Sequence, residues 1–314
     1  MSKLTIVIPV YNDEKCIVKL LTEIQKNKFD HDVNLIIIDD CSSTPLYLTL
    51  QKTNLTKFNL VLCFRLPCNM GHQFAIAKGL NRSLDLGSDF TVVMDSDVED
   101  MPKFILPLLD LSSKTNQITV AKRGKRYEST KFKMFYFFYR MIFSLLTGNK
   151  LNFGNFSVLP LEQLKSICAC STTSVHFPAT ILKSKLNFNY IKVDRGKRYF
   201  GYTKMNLPAL VYHGLKSLSV FSSSVISRML IASSSFLLVL FIAIFSILTL
   251  KFTGNASPGW ASGLVTALFI VCFQICSLSF ISILSIPFFN NDKADNSEIG
   301  ISLKQVKSTT SLMP

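Results

Sequence analysis

The sequence predicts an α/β domain on a mostly parallel sheet, followed by two transmembrane helices. Three observations predict it. Short apolar runs alternate with helical patterns through the N-terminal half. Two long stretches near the C-terminus carry no charged residue. One apolar run, at 90–94, breaks off into four carboxylates within six residues: Asp95, Asp97, Glu99 and Asp100.

Residues 4–10 read as the first strand and lead into Tyr11, Asn12 and Asp13. Ile17, Leu20, Leu21 and Ile24 then fall on one face of a helix. A second strand at 33–38 ends in Asp39 and Asp40. A third at 60–64 leads to Asn69, Met70 and Gly71, with a helix over about 72–86. The run at 90–94 is the fourth strand. A fifth, 118–121, ends in a basic run that includes Arg123 and Arg126. Continuous apolar strands fit burial on both faces of a parallel sheet, joined by right-handed crossovers.

In open α/β sheets, ligands bind beyond the carboxyl ends of the strands. Polar groups stand at several such ends here: Tyr11 with Asp13, then Asp40, then Asp95 with Asp97, then the basic run. Unpaired carboxylates are costly to bury, which places the acidic stretch in a cleft. Carboxylate oxygens suit Mg2+ or Mn2+, and Mg2+ tends to take one or two carboxylates plus substrate phosphates. Taken alone, Asp95-Ser96-Asp97 also reads as an acidic loop capping a helix opened by Pro102. There is no Gly-x-Gly-x-x-Gly and no Gly-rich phosphate loop, which removes support from dinucleotide and P-loop readings.

Residues 131–146 are unusually aromatic, with Lys131, Lys133 and Arg140 as the charges. Two readings stay open: a helix lying on a bilayer, or a core helix. Residues 153–159 read as a Gly-led strand or turn. Residues 194–204 gather Arg195, Lys197, Arg198 and Lys204 around two glycines.

The uncharged stretches are 229–250 and 263–289. Each is long enough to cross a hydrocarbon core of roughly 30 Å as a helix. The expected organisation is a cytosolic catalytic domain over 1–215, a membrane domain over 216–289, and a disordered polar tail over 290–314. The N-terminus has no basic and apolar leader, so the first domain is expected to stay in the cytosol. The 314 residues are 48% hydrophobic and carry 34 Lys+Arg against 20 Asp+Glu, net +14. The loop between the spans holds little charge beyond Lys251, so both flanks lie inside by the positive-inside rule. A basic domain tethered to a membrane is drawn to phosphate head groups, and two spans argue against a nucleic-acid partner. Eight Cys show no Cys-x-x-Cys pairing, which argues against a structural zinc site and makes free thiols the simplest account.

Four segments together resemble the family 2 glycosyltransferases of GT-A fold: Ile-Pro-Val-Tyr-Asn-Asp (8–13), Ile-Asp-Asp-Cys-Ser (38–42), Asn-Met-Gly-His-Gln (69–73) and Asp-Ser-Asp (95–97). Ala-Lys-Arg-Gly-Lys-Arg (121–126), Gly-Asn-Phe-Ser-Val-Leu (154–159), Lys-Arg-Tyr-Phe-Gly-Tyr-Thr-Lys (197–204) and the two spans are similar to the polyprenyl-phosphate glycosyltransferases among them. That resemblance implies inverting transfer of a sugar from a nucleotide-diphosphate sugar to a polyprenyl phosphate. The donor it favours is a UDP-sugar, with GDP-mannose second. The acceptor it favours is undecaprenyl phosphate, for cell-envelope glycan or O-antigen modification. It also implies a multi-pass protein of a bacterial inner membrane, able to self-associate through its spans.

By the same resemblance, Pro9, Tyr11, Asp13, Asp40 and Gly71 hold the nucleotide, and Asp95 contacts the nucleotide sugar. Asp97 binds Mg2+ or Mn2+, with Glu99 as a candidate extra ligand. Arg123, Arg126, Arg198 and Lys204 bind the donor diphosphate and the lipid phosphate. The chain departs from the family at three points: Cys41 stands for Gly, Gly196 stands for an acidic residue, and no basic, Tyr-containing stretch follows the second span. Two other functions compete. One is transfer to a hydroxyl of a lipid-linked glycan, which needs a carboxylate base such as Glu99 or Asp100. The other is a catalytically silent membrane scaffold.

Overall fold

The computed structural model describes residues 2–123, 130–194, 196, 207–253, 259–284 and 299–304. The chain divides into two compact units. One comprises Met1–Arg140, Lys150–Val220 and Lys293–Pro314; the other comprises Met141–Asn149 and Phe221–Asp292.

The first unit opens with β1 (Lys3–Val10), α1 (Glu14–Ile24), β2 (Asp32–Asp39), α2 (Leu46–Gln51), β3 (Leu60–Arg65), α3 (His72–Asp85) and β4 (Phe90–Val93). A 3-10 turn at Pro102–Phe104 leads into α4 (Ile105–Thr115), then β5 (Ile118–Arg123) and α5 (Thr130–Thr147). β6 (Ser157–Pro160), α6 (Leu161–Cys168), α7 (Phe177–Lys183), β7 (Phe188–Val193) and α8 (Leu207–Ser219) follow. One eight-stranded sheet runs in the order β7-β5-β6-β4-β1-β2-β3, closed by β8 (Ile299–Lys304). The β3-β2-β1-β4 ladder is parallel, as is β5 with β7; β6 runs antiparallel between β4 and β5, and β8 antiparallel to β3. The sheet is therefore mostly parallel, as the sequence predicts.

Strand side chains alternate between faces, so a strand covered on both sides must be apolar throughout. β1 and β2 obey this: Ile6, Ile8, Leu35 and Ile37 share a cluster with Ile17, Leu20, Leu21 and Ile24 of α1. Val7, Ile36 and Ile38 pack with Phe74 and Ala75 of α3 on the other face. Each such side chain contributes roughly 1.5–3 kcal/mol on burial, enough to pin the register of the central strands. That register sets Val10 beside Asp39 and Val7 beside Val93. The Met94 N–H still donates to Val7 O at 3.2 Å, so Asp95 is the first residue past the ladder.

Two strands are absent from the sequence reading, and at a third the structure decides between its two alternatives. Residues 153–159 were open between strand and turn, and Ser157–Pro160 is a buried four-residue strand, too short to show a period. β7 is an edge strand with no apolar run. β8 lies inside the stretch expected to be a disordered tail; Ile299, Ile301 and Leu303 alternate with Gly300, Ser302 and Lys304, a strand period hidden in polar surroundings.

α5 buries little of its apolar side: Met134, Phe137, Phe138, Met141, Ile142 and Leu145 are all exposed. α8 likewise exposes Val211, Tyr212 and Leu215. Within the first unit, Tyr139 Oη lies 2.6 Å from Ser217 Oγ.

The second unit holds the end of α5, α9 (Ser222–Phe252) and α10 (Trp260–Leu284), and α9 and α10 pack against each other. Both helices are long and apolar enough to cross a membrane. Phe236, Phe241, Phe245, Phe269 and Phe273 are exposed along them. Phe143 and Phe221 meet edge-to-face at 5.8 Å, and Arg228 Nη1 donates to Leu145 O at 2.6 Å. That bond satisfies one of the carbonyls left open at the end of α5.

Candidate active site

The carboxyl ends of β1 and β2 and the segment between β3 and α3 form one pocket of about 160 Å³, lined by Pro9, Val10, Tyr11, Asp40, Asn69, Gly71 and His72. Four residues predicted from the sequence thus line one pocket: Pro9, Tyr11, Asp40 and Gly71. Asp13 is half-buried just before α1 and is not among its lining residues.

Two neighbouring aspartates at the end of β2 do different work. Asp39 is buried and structural: its carboxylate accepts from Ser42 N–H at 2.8 Å and Leu46 N–H at 3.3 Å, and pairs with Arg65 Nη1 at 3.0 Å. Asp40 instead accepts from Met70 N–H at 2.8 Å and Gly71 N–H at 3.0 Å, which ties the loop before α3 to β2. Burial pushes the Asp40 carboxyl above the ordinary carboxylate range, against the opposing pull of those donors and of His72. Gly71 has φ +95°, a conformation open to glycine, and delivers His72 as the first residue of α3. Cys41 has φ +60°, a left-handed conformation in which glycine would carry no strain.

The acidic turn follows β4. Asp95 Oδ1 lies 3.0 Å from His72 Nε2 and accepts from Asn155 Nδ2 at 3.0 Å. His72 keeps part of its side chain in solvent; desolvation by the surrounding protein pulls the imidazole down, but the charge of Asp95, its hydrogen bond, and the charges of Asp97 and Asp40 outweigh that, so His72 titrates above its ordinary range. Asp97 Oδ1 accepts from Glu99 N–H at 3.1 Å, an Asx-type turn. Val98 between them is buried at φ +67°, a strained conformation for a β-branched residue. The turn is braced from within by Asp95 N–H donating to Asp100 Oδ2 at 3.2 Å.

Among the described residues, no group of three or more His, Cys, Asp or Glu side chains is gathered as a cation cage. The donors present, carboxylates of Asp95, Asp97 and Glu99 on one turn, are hard oxygens. They fit a cation that takes one or two protein carboxylates and completes its shell with phosphate and water.

Arg123 ends β5, and only its backbone is described. Arg126, Arg198 and Lys204 lie outside the described residues. Three residues at the site have no role that the sequence assigns: His72, Gln73 and Asn155. No charge pattern marks Gln73 or Asn155, and only the fold brings 72–73, 95 and 155 together.

A sheet of this topology covered by helices on both faces, with a pocket at the strand ends beside an acidic turn, defines a nucleotide-diphospho-sugar transferase domain of GT-A fold. The chain belongs to glycosyl transferase family 2, whose model matches residues 5–167, just over half of it. It is a glycosyltransferase. It is 25% identical over 293 residues to an undecaprenyl-phosphate 4-deoxy-4-formamido-L-arabinose transferase of Serratia proteamaculans, covering 90% of this chain and 86% of that one. It is 23% identical over 290 residues to the uncharacterized glycosyltransferase YkoT of Bacillus subtilis, covering 88% and 85%. The glucosyl-3-phosphoglycerate synthase of Mycobacterium tuberculosis, solved with uridine diphosphate, superposes with a TM-score of 0.50 at 15% identity, covering 71% of this chain and 80% of that one.

Proposed function

We propose that this protein transfers a sugar from a nucleotide-diphosphate sugar to a polyprenyl phosphate at a bacterial inner membrane, with inversion at the anomeric carbon. One observation carries the reading: a family 2 catalytic domain and two helices long and apolar enough to cross a membrane occur in one chain. The relatives named as undecaprenyl-phosphate sugar transferases, aligned over 90% of the chain, support it. So do the exposed apolar side chains of α5 and α8, which suit a bilayer surface. Undecaprenyl phosphate is the favoured acceptor and a UDP-sugar the favoured donor.

In this reading Pro9, Tyr11, Asp13, Asp40 and Gly71 hold the base and ribose, and Asp95 faces the nucleotide sugar. Asp97, with Glu99 as second candidate, would hold Mg2+ or Mn2+, which supplies positive charge to the leaving diphosphate when bound. Arg123, Arg126, Arg198 and Lys204 bind the two phosphate groups and offset their repulsion. A phosphate oxygen of the acceptor forms the new bond to the anomeric carbon as the bond to the diphosphate breaks. The acceptor is already anionic near neutral pH, so no side chain has to remove a proton.

The test is direct. Membranes holding the full chain receive extracted polyprenyl phosphate, a divalent cation and labelled UDP-sugars or GDP-mannose. The expected product is a labelled lipid that mild acid hydrolyses, absent with Asp97→Ala. An acid-stable product would instead mark transfer to a hydroxyl.

A further inference from the structure

Gln73 and Asn155 are uncharged, buried, and joined end to end beside Asp95. Gln73 is 5% exposed and Asn155 8%. They come from different segments, Gln73 from the first turn of α3 and Asn155 from the connection before β6. The chain of contacts has a fixed polarity. Phe177 N–H, at the first residue of α7, donates to Gln73 Oε1 at 2.6 Å. This donor belongs to the set that a helix cannot satisfy internally. A backbone N–H can only donate, so it fixes which end of the Gln73 amide faces it. The Gln73 NH2 group is thereby turned to Asn155, and Nε2 donates to Oδ1 at 3.1 Å. Asn155 must then present its own NH2 group to the Asp95–His72 pair, where Nδ2 donates to Asp95 Oδ1 at 3.0 Å and lies 3.1 Å from His72 Nε2. Neither amide can be reversed alone without opposing like ends.

We propose that Gln73 and Asn155 are positioning residues. They form a polarised amide relay, anchored on the Phe177 N–H, that aims a donor at Asp95 Oδ1 and fixes the orientation of that carboxylate. The consequence for catalysis rests on the reading above, in which Asp95 faces the nucleotide sugar. Small errors in the placement of such a group cost on the order of a hundredfold in rate.

Two variants separate polarity from packing. Gln73→Glu keeps the shape and the acceptor for Phe177, but sets an oxygen against Asn155 Oδ1, so Asn155 has to turn its NH2 group away from Asp95. Gln73→Met fills the volume without any polarity. The first measurement needs no substrate: carbodiimide labelling of carboxyl groups in the full chain in detergent, mapped by mass spectrometry. The exposed Asp85 and Glu162 serve as internal references. The second is turnover in the glycolipid assay.

The relay predicts that Asp95 labelling rises relative to the references in both variants. It also predicts that kcat/KM for the nucleotide sugar falls about tenfold to a hundredfold, while KM for the lipid phosphate stays at the parent value. A packing role predicts parent labelling and parent turnover in Gln73→Met, and that result overturns the relay. Should Gln73→Glu fail to fold, Gln73→Met and Asn155→Ala carry the same comparison. If the parent makes no glycolipid from any donor, the functional reading fails, while the labelling result still decides the relay.

Discussion

His72 is the residue on which the pocket and the acidic turn meet. It lines the pocket with Asp40 and lies 3.0 Å from Asp95 Oδ1. The charges that face it are Asp95, Asp97 and Asp40, and together they raise its folded pKa above the ordinary histidine value. A group raised in this way stabilises the fold fully below its unfolded pKa, and that contribution is lost as pH rises through the folded value. In chelator-treated protein, the melting temperature of the parent should therefore exceed that of His72→Gln most near about pH 6. The gap should narrow as pH rises; a gap independent of pH would rule out the charge coupling. At this scale the sequence was legible only where chemistry is loud. Asp40, Asp95 and Asp97 stood out because carboxylates closed apolar strands. Gln73 and Asn155 did not, because an amide carries no charge and no period. Its role appears only when positions 82 apart in the chain are brought to 3.1 Å.

Between elements, the contact that matters most joins the end of β7 to the turn after β4. Gly196 N–H donates to Glu99 O at 2.9 Å. A Cβ on Gly196 would sit 2.8 Å from Val98 O and 3.0 Å from Met101 Cγ. The close approach of two backbones is the physical reason glycine fits here. Gly196→Ala should push the loop that begins the 194–204 basic segment off the acidic turn and lower turnover about tenfold, in line with the cost of a small misplacement. Gly196→Asp should do worse, since it also adds a carboxylate beside Glu99 and Asp100. The glycolipid assay checks both, and parent activity in Gly196→Asp would show that the loop has room to move. Element legibility followed burial on two faces. β1 and β2 are buried almost throughout and announced themselves as apolar runs. β6, β7 and β8 are short or marginal, and the pairing that makes them strands is non-local, so a window along the chain holds little of it.

For the whole molecule the decisive quantity is exposed apolar length. α9 has 31 residues and α10 has 25. At 1.5 Å per residue these are roughly 46 Å and 38 Å long, more than a hydrocarbon core of about 30 Å. Their exposed Phe, Leu and Ile side chains form a surface far larger than water tolerates on a monomer. A bilayer removes that cost, and two crossings return the chain to the side it left. The full chain should therefore resist alkaline carbonate extraction and yield only to detergent. The short connection at 254–258 should face away from the cytosol, because it holds no Lys or Arg, while Arg228 precedes the apolar part of α9. Alkaline phosphatase inserted in that connection is expected to be active, and the same enzyme fused at the C-terminus inactive. The reverse pattern would set the basic catalytic unit on the far side of the membrane, away from cytosolic nucleotide sugars. The proposed reaction would then have no donor, however well the pocket fits one.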